Sequence, residues 1–135
     1  MSAFVDTSVV VYAHDHGAGP KQQTAREVLE HMAGSLVIST QVLSEFYWVT
    51  TRKLTPPLPQ PDAAEAVEHL SALPVVTTTA GLVLSAIATA RNETLSLWDA
   101  LIIEAASTAG CDRVLTEDLQ HNRVIRGVRV ENPFR

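Results

Sequence analysis

Short apolar runs and longer amphipathic stretches alternate along the chain. The apolar runs have the length of buried strands and predict β-strands at residues 2–6, 36–39, 74–77, 113–116 and 128–130. Apolar residues spaced three or four positions apart predict helices at residues 9–12, 20–33, 40–53, 62–73, 80–91 and 97–109. Because strands and helices alternate throughout, the sequence predicts one α/β domain over residues 1–135. It would be a three-layer α/β/α sandwich, with helices on both faces of a central parallel sheet.

Local signals set the ends of several helices. Thr7 or Ser8 is expected to cap the first helix, and residues 14–19 form a predicted loop. Ser96 predicts the start of the last helix. The four prolines between positions 56 and 61 are expected to end one helix and to form a stiff connection into the next.

Composition narrows the class of protein. The chain has 135 residues, 46% of them hydrophobic and 19% charged, which favours a compact fold over a disordered one. The longest apolar stretch, 80–90, is too short for a membrane span of ~20 residues, so no membrane partner is expected. A lone cysteine, Cys111, and the absence of a secretory signal pattern predict a cytoplasmic protein. The net charge of −5 argues against a wholly basic surface but leaves a local basic patch open.

Four acidic residues are predicted to lie near the carboxyl edge of the sheet, where α/β proteins bind ligands. Asp6 ends the first strand, and Glu45 lies early in the helix after the second. Asp99 lies in the first turn of the last helix, and Asp118 follows the fourth strand. Each has a structural alternative. Asp6 could cap a helix, and Glu45 could face solvent. Asp99 could form a capping box with Ser96, and Asp118 could be a turn residue.

Acids that converge at one edge require a compensating cation. Two carboxylates ~5 Å apart repel by ~3 kcal/mol at an effective dielectric constant of 20. Oxygen ligands favour Mg²⁺, with Mn²⁺ as a possible substitute. A zinc site is disfavoured because Cys111 is alone and His14 and His16 have no further ligands nearby. A carboxylate-held ion of this kind is suited to phosphodiester hydrolysis, since it acidifies a bound water.

The segments that contain these acids resemble PIN domains, and specifically the VapC-type toxins of bacterial toxin–antitoxin pairs. The resemblance rests on segments that follow the family's order and spacing: 4–8, 38–46, 97–101, 115–119 and 132–134. It implies the α/β/α fold and an endoribonuclease that cleaves RNA with Mg²⁺ or Mn²⁺. It also implies a homodimer and inhibition by a cognate antitoxin protein.

Matched residue by residue, the resemblance assigns catalytic roles to Asp6, Glu45, Asp99 and Asp118. Of these, Asp6, Asp99 and Asp118 would hold the metal. Many relatives have a further acid two residues after the fourth position and then a Phe, where this chain has Gln120 and His121. The number of metal ions therefore stays open. His121 either contacts a scissile phosphate or is an ordinary loop histidine.

Positive charge and aromatic side chains are the remaining candidates for RNA contacts. Residues 123–135 contain four arginines and one acid, and Arg52 and Lys53 form a second basic pair. These residues are either a local electrostatic funnel or an ordinary solvated surface. Trp98 and the pair Tyr47–Trp48 could stack on bases, although aromatic residues in helices are expected mostly in the core.

Two other classes of protein remain as alternatives. Asp6 at the end of the first strand also suits the phosphoacceptor of a receiver-like signalling module. That class needs an acidic pair beside the first strand and a lysine late in the chain, whereas the lysines here are Lys21 and Lys53. The other alternative is a PIN-like interaction module without activity, which the four matching acids disfavour.

Overall fold

The structure is a computed structural model that describes residues 2–135. Its strands are β1 (Ala3–Val5), β2 (Leu36–Ser39), β3 (Val75–Val76), β4 (Arg113–Leu115), β5 (Val124–Ile125) and β6 (Val128–Glu131). Its helices are α1 (Thr7–His14), α2 (Pro20–His31), α3 (Thr40–Arg52), α4 (Gln60–Leu70), α5 (Ala80–Glu93) and α6 (Leu97–Thr108). Within residues 2–135, none of these helices is both long and apolar enough to cross a membrane.

The strands form one sheet in the order β3-β2-β1-β4-β6-β5. Strand β1 lies at the centre and runs parallel to both neighbours, with Phe4 opposite Val37 in β2 and Val114 in β4. All three residues of β1 are buried. A parallel strand buried in this way needs helices on both faces of its sheet. The predicted α/β fold with a helix-covered, mostly parallel sheet is confirmed.

The helices pack in two groups around a continuous apolar core. Helix α1 contacts α2 and α3, and α3 contacts α4, whereas α5 pairs with α6, and α6 contacts four of the strands. Phe4, Ile38, Phe46 and Ile103 are among the largest fully buried side chains. Each such side chain contributes about 1.5–3 kcal/mol by its removal from water. This packing fixes the positions of the loops at the carboxyl ends of the strands.

One strand breaks the parallel pattern that the sequence predicted for the whole sheet. Strand β5 pairs antiparallel with β6. The two-residue turn between them, Arg126 and Gly127, has φ values of 53° and 76°. This left-handed geometry suits a tight hairpin, but arginine is not a usual signal for it. The hairpin was missed because β5 is only two residues long and lies within the arginine-containing segment.

The ends of two helices also differ from the prediction. Helix α1 begins at Thr7 and is capped by Asp6, whose carboxylate accepts a hydrogen bond from the Thr7 backbone N–H at 2.7 Å. The predicted caps, Thr7 and Ser8, were wrong. Helix α4 begins at Gln60 and so includes Pro61, which the prediction placed in the connection before it. A proline in the first helical turn costs little, because no backbone N–H is needed there.

A buried carboxylate joins α5, α6 and the hairpin. The Glu104 side chain in α6 is 5% exposed. It accepts hydrogen bonds at 3.1 Å from the Thr89 hydroxyl in α5 and from Nε of Arg126 in the hairpin turn. A buried charge without such partners would be costly. The contact therefore anchors the hairpin edge of the sheet to the helices that pack on it.

We expect Arg126→Met to lower the free energy of unfolding by about 1–3 kcal/mol, because it leaves the Glu104 carboxylate buried without its cation. Arginine and methionine both carry a Cβ, so the substitution does not change the strain of the positive φ at position 126. Arg129→Met is the control, since Arg129 is exposed in β6 and has no ion pair within residues 2–135. Urea denaturation measures both variants. Adding Glu104→Gln to Arg126→Met should restore part of the loss; equal stability of the two arginine variants would contradict this role.

Candidate active site

One large cleft opens where β1 and β4 end, between α1, α3 and α6. Its volume is about 950 Å³. It is lined by all four acids that the sequence singled out, namely Asp6, Glu45, Asp99 and Asp118. Asp15 and Glu117 line it as well, while no lysine, arginine, histidine or cysteine within residues 2–135 does. The cleft is therefore strongly negative, and the charged side-chain atoms that could bind an ion in it are oxygens.

Asp6 is the most buried of these acids. It follows β1 directly, and only 5% of its surface is exposed. One carboxylate oxygen accepts the Thr7 backbone N–H that starts α1, and the other accepts the Thr116 hydroxyl at 2.7 Å. Asp6 therefore caps α1, as the structural alternative predicted, and it also lines the cleft.

Two threonine hydroxyls connect the acids of neighbouring segments. Thr116, which follows β4, donates to Asp6 and accepts a hydrogen bond from the Asp118 backbone N–H at 3.0 Å. Thr7 donates its hydroxyl to Oε1 of Glu45 in α3 at 2.7 Å. These contacts orient Asp6 and Glu45 and fix the backbone at Asp118. Supporting hydrogen bonds of this kind are what hold ligating carboxylates in place at metal sites.

The acids interact electrostatically. Burial raises the pKa of Asp6 to about 7, although the hydrogen bonds from Thr116 and Thr7 act in the opposite direction. The charges of Asp118 and Glu45 raise that pKa further. Desolvation in the cleft also raises the pKa of Asp118, and the charges of Asp99, Glu117 and Glu45 add to the effect. The four acids therefore form one coupled group, not four separate surface residues.

Asp118 is the most accessible member of the group, and Asp99 is partly exposed. Asp99 lies in the first turn of α6, where its backbone N–H is accepted by the Ser96 hydroxyl at 3.1 Å. The predicted capping by Ser96 is confirmed. Asp118 lies in the loop after β4 and is exposed at the rim of the cleft. Both carboxylates can be reached from solvent, as an exchangeable ion or substrate requires.

Glu117 is held by a cation, unlike the acids around it. Lys21 in α2 donates to Oε2 of Glu117 at 2.6 Å, and the Tyr12 hydroxyl in α1 donates to Oε1 at 2.6 Å. Partial burial opposes these contacts, but their hydrogen bonds hold the pKa of Glu117 below its usual value. The Tyr12 ring also packs edge-on against Phe134, with ring centroids 4.9 Å apart. Glu117 is thereby neutralised and tied down beside the exposed Asp118.

The donor set fits a hard divalent cation. Carboxylate and hydroxyl oxygens are the ligands that Mg²⁺ and similar ions take. Burial, and to a smaller extent the neighbouring acids, raise the pKa of Asp6, so a bound cation would favour its charged form. Within residues 2–135, no three acidic, histidine or cysteine side chains already stand in a ready-made metal-binding arrangement. Ion binding would therefore have to draw the carboxylates closer together.

The sequence interpretation missed Tyr12 and Glu117 as cleft residues. A periodic signal exists for the first. The cleft residues of α1 are Thr7, Ser8, Val11 and Tyr12, and those of α3 are Gln41, Ser44, Glu45, Trp48 and Val49. Both sets repeat at intervals of three and four, so each marks one face of a helix. Following the helical face of Ser8 along α1 would have found Tyr12, and following the face of Glu45 along α3 would have found Trp48.

The C-terminal basic segment does not form a free cationic surface as a whole. Arg123 bonds the Glu93 backbone carbonyl at 2.8 Å and lies 3.4 Å from its carboxylate, and Arg126 pairs with Glu104. His121 is also engaged, because its Nδ1 accepts the Asn132 backbone N–H at 3.0 Å. His121 does not line the cleft. For Arg123, Arg126 and His121 the structure therefore favours contacts that stabilise the fold over contacts to RNA.

The tryptophans lie on the surface, contrary to the expectation that helical aromatics belong to the core. Trp98 is 63% exposed and Trp48 is 49% exposed, and both line the cleft. Tyr47 is 36% exposed. The core interpretation of these three residues was therefore wrong. The apolar faces of Trp48 and Trp98 are available to a ligand at the edge of the acidic group.

The fold and the cleft define a class of protein: a parallel α/β sandwich with a coupled group of carboxylates beyond the carboxyl ends of its central strands. The PIN domain family model matches residues 3–127. The chain belongs to the PIN domain family. No curated protein sequence matches the chain significantly.

Solved structures of similar fold include bacterial toxins. VapC20 of Mycobacterium tuberculosis, described as a toxin that cleaves the sarcin–ricin loop, is 20% identical with a TM-score of 0.66, covering 84% of this chain and 87% of its own. A toxin–antitoxin complex from Klebsiella pneumoniae matches at 20% identity and a TM-score of 0.73, covering 98% of both chains. DNA-bound VapBC from Salmonella typhimurium matches at 21% identity and a TM-score of 0.70, covering 98% of both chains. These likenesses support the fold.

We expect Asp6→Asn to stabilise the metal-free protein at neutral pH and to leave it unchanged near pH 4. The pKa of Asp6 rises from 3.8 to about 7 on folding, so the folded state binds the extra proton between these values. Stability of the parent must then fall as pH rises through this window, by a few kcal/mol at most. Asparagine carries no charge and still caps α1.

The measurement is urea denaturation in a chelator at pH 4, 5.5 and 8. Glu68→Gln, which neutralises an exposed acid in α4, is the control and should behave like the parent. Parallel pH profiles for the parent and Asp6→Asn would show that the Asp6 carboxyl is not the group responsible.

Proposed function

We propose that this protein is a divalent-metal-dependent endoribonuclease that hydrolyses phosphodiester bonds in RNA. The observation that carries the proposal is the convergence of Asp6, Glu45, Asp99 and Asp118, from four separate segments, in a cleft that no cation among residues 2–135 lines. Membership of the PIN domain family supports it. We further propose that residues 1–135 act as one domain.

Asp6, Asp99 and Asp118 would hold the ion, for which we propose Mg²⁺, with Mn²⁺ as a substitute. When bound, such an ion supplies an acidified water and neutralises charge on the phosphate. The rigidly held Asp6 defines the inner end of the site, and the accessible Asp99 and Asp118 complete it from the rim. Thr116 positions both Asp6 and the backbone at Asp118, so it acts on the ion only through them.

Glu45 has a different role in this proposal. Its Oε1 accepts the Thr7 hydroxyl, which fixes the carboxylate in the cleft and leaves Oε2 to accept a proton from an attacking water. Glu117 cannot take this role as readily, because both of its oxygens are engaged by Tyr12 and Lys21. In this proposal Asp6, Asp99 and Asp118 hold the ion, whereas Glu45 accepts a proton.

The cellular role that we propose is that of the toxin in a VapBC-type pair. VapC20, a solved structure of similar fold, is described as a toxin, and others come from toxin–antitoxin complexes. A cognate antitoxin protein would inhibit the enzyme by inserting an arginine or lysine into the negative cleft, where it would compete with the metal. We also propose a homodimer and a cytoplasmic location, where RNA substrates are present.

We expect Asp6→Asn to reduce Mg²⁺-dependent cleavage by about 100-fold or more while the protein stays folded, because one ligand charge is lost. The substrate is a folded RNA of several hundred nucleotides with paired and unpaired segments. Asp62→Asn, the same substitution at an exposed position of α4, is the matched control and should cleave like the parent. Full activity of Asp6→Asn, or a parent that cleaves no RNA with Mg²⁺ or Mn²⁺, would refute the proposal and favour an inactive interaction module.

We also expect Mg²⁺ to raise the melting temperature, because an ion that binds only the folded state adds about 2.7 kcal/mol at a ~100-fold excess over its Kd. Asp99→Asn should remove most of this gain, whereas Asp62→Asn should keep it. Differential scanning fluorimetry from zero to several millimolar Mg²⁺ or Mn²⁺ measures the effect. A melting temperature that does not change with either ion would mean that the acids do not share a metal site.

A further inference from the structure

Both tryptophans of the chain lie at the mouth of the acidic cleft. Trp48 and Trp98 are the two tryptophans in the sequence, and each leaves about half or more of its surface in water. They reach the cleft from different helices. Trp48 lies one turn after Glu45 on the same face of α3, and Trp98 immediately precedes Asp99 in α6. Exposed apolar surface that is grouped beside a polar cleft is typical of a ligand-binding groove.

Cations accompany the aromatic surface on one side. Nζ of Lys53 lies 5.0 Å from the centroid of the Trp48 ring, and the guanidinium carbon of Arg52 lies 5.9 Å from it. Neither Arg52 nor Lys53 forms an ion pair with an acid within the described chain. These charges are therefore available to a ligand, in contrast to Arg123 and Arg126, which are bound to Glu93 and Glu104.

We propose that Trp48 and Trp98 stack on unpaired nucleobases next to the bond that is cut, while Arg52 and Lys53 contact the neighbouring phosphates. The proposal rests on the proposed ribonuclease function and adds to it the side chains that hold the bases and phosphates beside the cleft. Both faces of an unpaired base are open to an indole ring, whereas in a duplex they are covered by neighbouring base pairs.

Charge favours RNA over a protein as the occupant of this surface. A segment that binds the acids of the cleft must be basic, and Arg52 and Lys53 would repel it at the rim. An RNA strand satisfies both regions when a divalent ion neutralises the acids: its phosphate enters the cleft, and the next phosphates meet the two cations. Aromatic rings beside cations are the usual means of holding single strands without strict sequence preference.

Intrinsic fluorescence tests the proposal directly, because the two tryptophans are the whole indole signal of the chain. Trp48→Phe and Trp98→Phe are each combined with Glu45→Gln, which removes the proposed proton acceptor and keeps the proposed metal ligands, so that each protein has one indole and little cleavage. Each is titrated, with Mg²⁺ present, with a mixed-sequence single-stranded oligoribonucleotide. We expect saturable quenching of both indoles. The same sequence as a full duplex should quench less, and inorganic polyphosphate, which has charge but no bases, should not quench.

Steady-state kinetics on otherwise unmodified protein provides a second measurement. Trp98→Ala and Trp48→Ala should each raise KM for the oligoribonucleotide roughly 5- to 150-fold, the loss expected for one stacked base, with a smaller effect on kcat. Trp98→Phe should restore most of the KM, which separates stacking from a disturbance of Asp99. Leu84→Ala is the control, because Leu84 is 69% exposed on α5 and does not line the cleft.

The outcomes separate this inference from the function on which it rests. If the parent cleaves RNA but neither indole responds to the oligoribonucleotide and the alanine variants keep KM, the inference is wrong and the ribonuclease function stands. Equal quenching by polyphosphate also overturns stacking. If the indoles respond to the antitoxin from the neighbouring gene and not to RNA, the surface binds protein and the proposal is wrong. A parent without any cleavage counts against the ribonuclease function, while quenching still reports RNA binding.

Discussion

The burial of the Asp6 carboxylate at the end of the central strand is the constraint on which the site depends. Asp6 terminates β1, starts α1 through its bond to the Thr7 backbone, and joins β4 through Thr116. A side chain with these three attachments cannot move away from the other acids to relieve their repulsion. The neighbouring segments must therefore tolerate a high density of negative charge, and they do so with hydroxyl donors and, at Glu117, with one lysine.

The distribution of cations follows from the same constraint. Lys21, Arg113, Arg123 and Arg126 are each paired with an acid, so part of the fixed positive charge serves the fold. Within the described residues, no cation lines the cleft itself. In the part of the chain that the structure describes, Arg52 and Lys53 carry unpaired positive charge at the C-terminal end of α3, beside the cleft residue Trp48. Net charge alone, at −5, conceals this separation of roles.

Much of the fold was predictable, because buried parallel strands and amphipathic helices leave a strong periodic signal. Strand β1 is apolar at every position, and its acid comes directly after it, so both the strand and Asp6 could be assigned. Strand β5 could not, since two residues carry no period and Arg126 hides the turn. The convergence of the four acids followed from the common direction of the parallel strands, whereas their hydrogen bonds to Thr7 and Thr116 depend on side-chain geometry that a sequence does not contain.

The aromatic residues were the least predictable part of the site. A tryptophan in an amphipathic helix has the same local pattern whether its face meets the core or a cleft, and only the packing of α3 and α6 decides which. That packing explains why Val42, Phe46 and Thr50 are buried while Trp48 is not. The sequence at positions 41–49 therefore contained the cleft face, but nothing in it distinguished that face from a solvated one.

One face of helix α3 packs in the core and the other lines the cleft, and this division has an evolutionary consequence. Its inner residues, Val42, Phe46 and Thr50, maintain the core, whereas the outer residues at positions 41, 44 and 48 face the cleft and are not part of that core. Substitutions on the outer face can accumulate without a large cost in folding. Descendants of this chain could diverge in what they recognise while retaining the same scaffold, by exchanging a few side chains along a single helix.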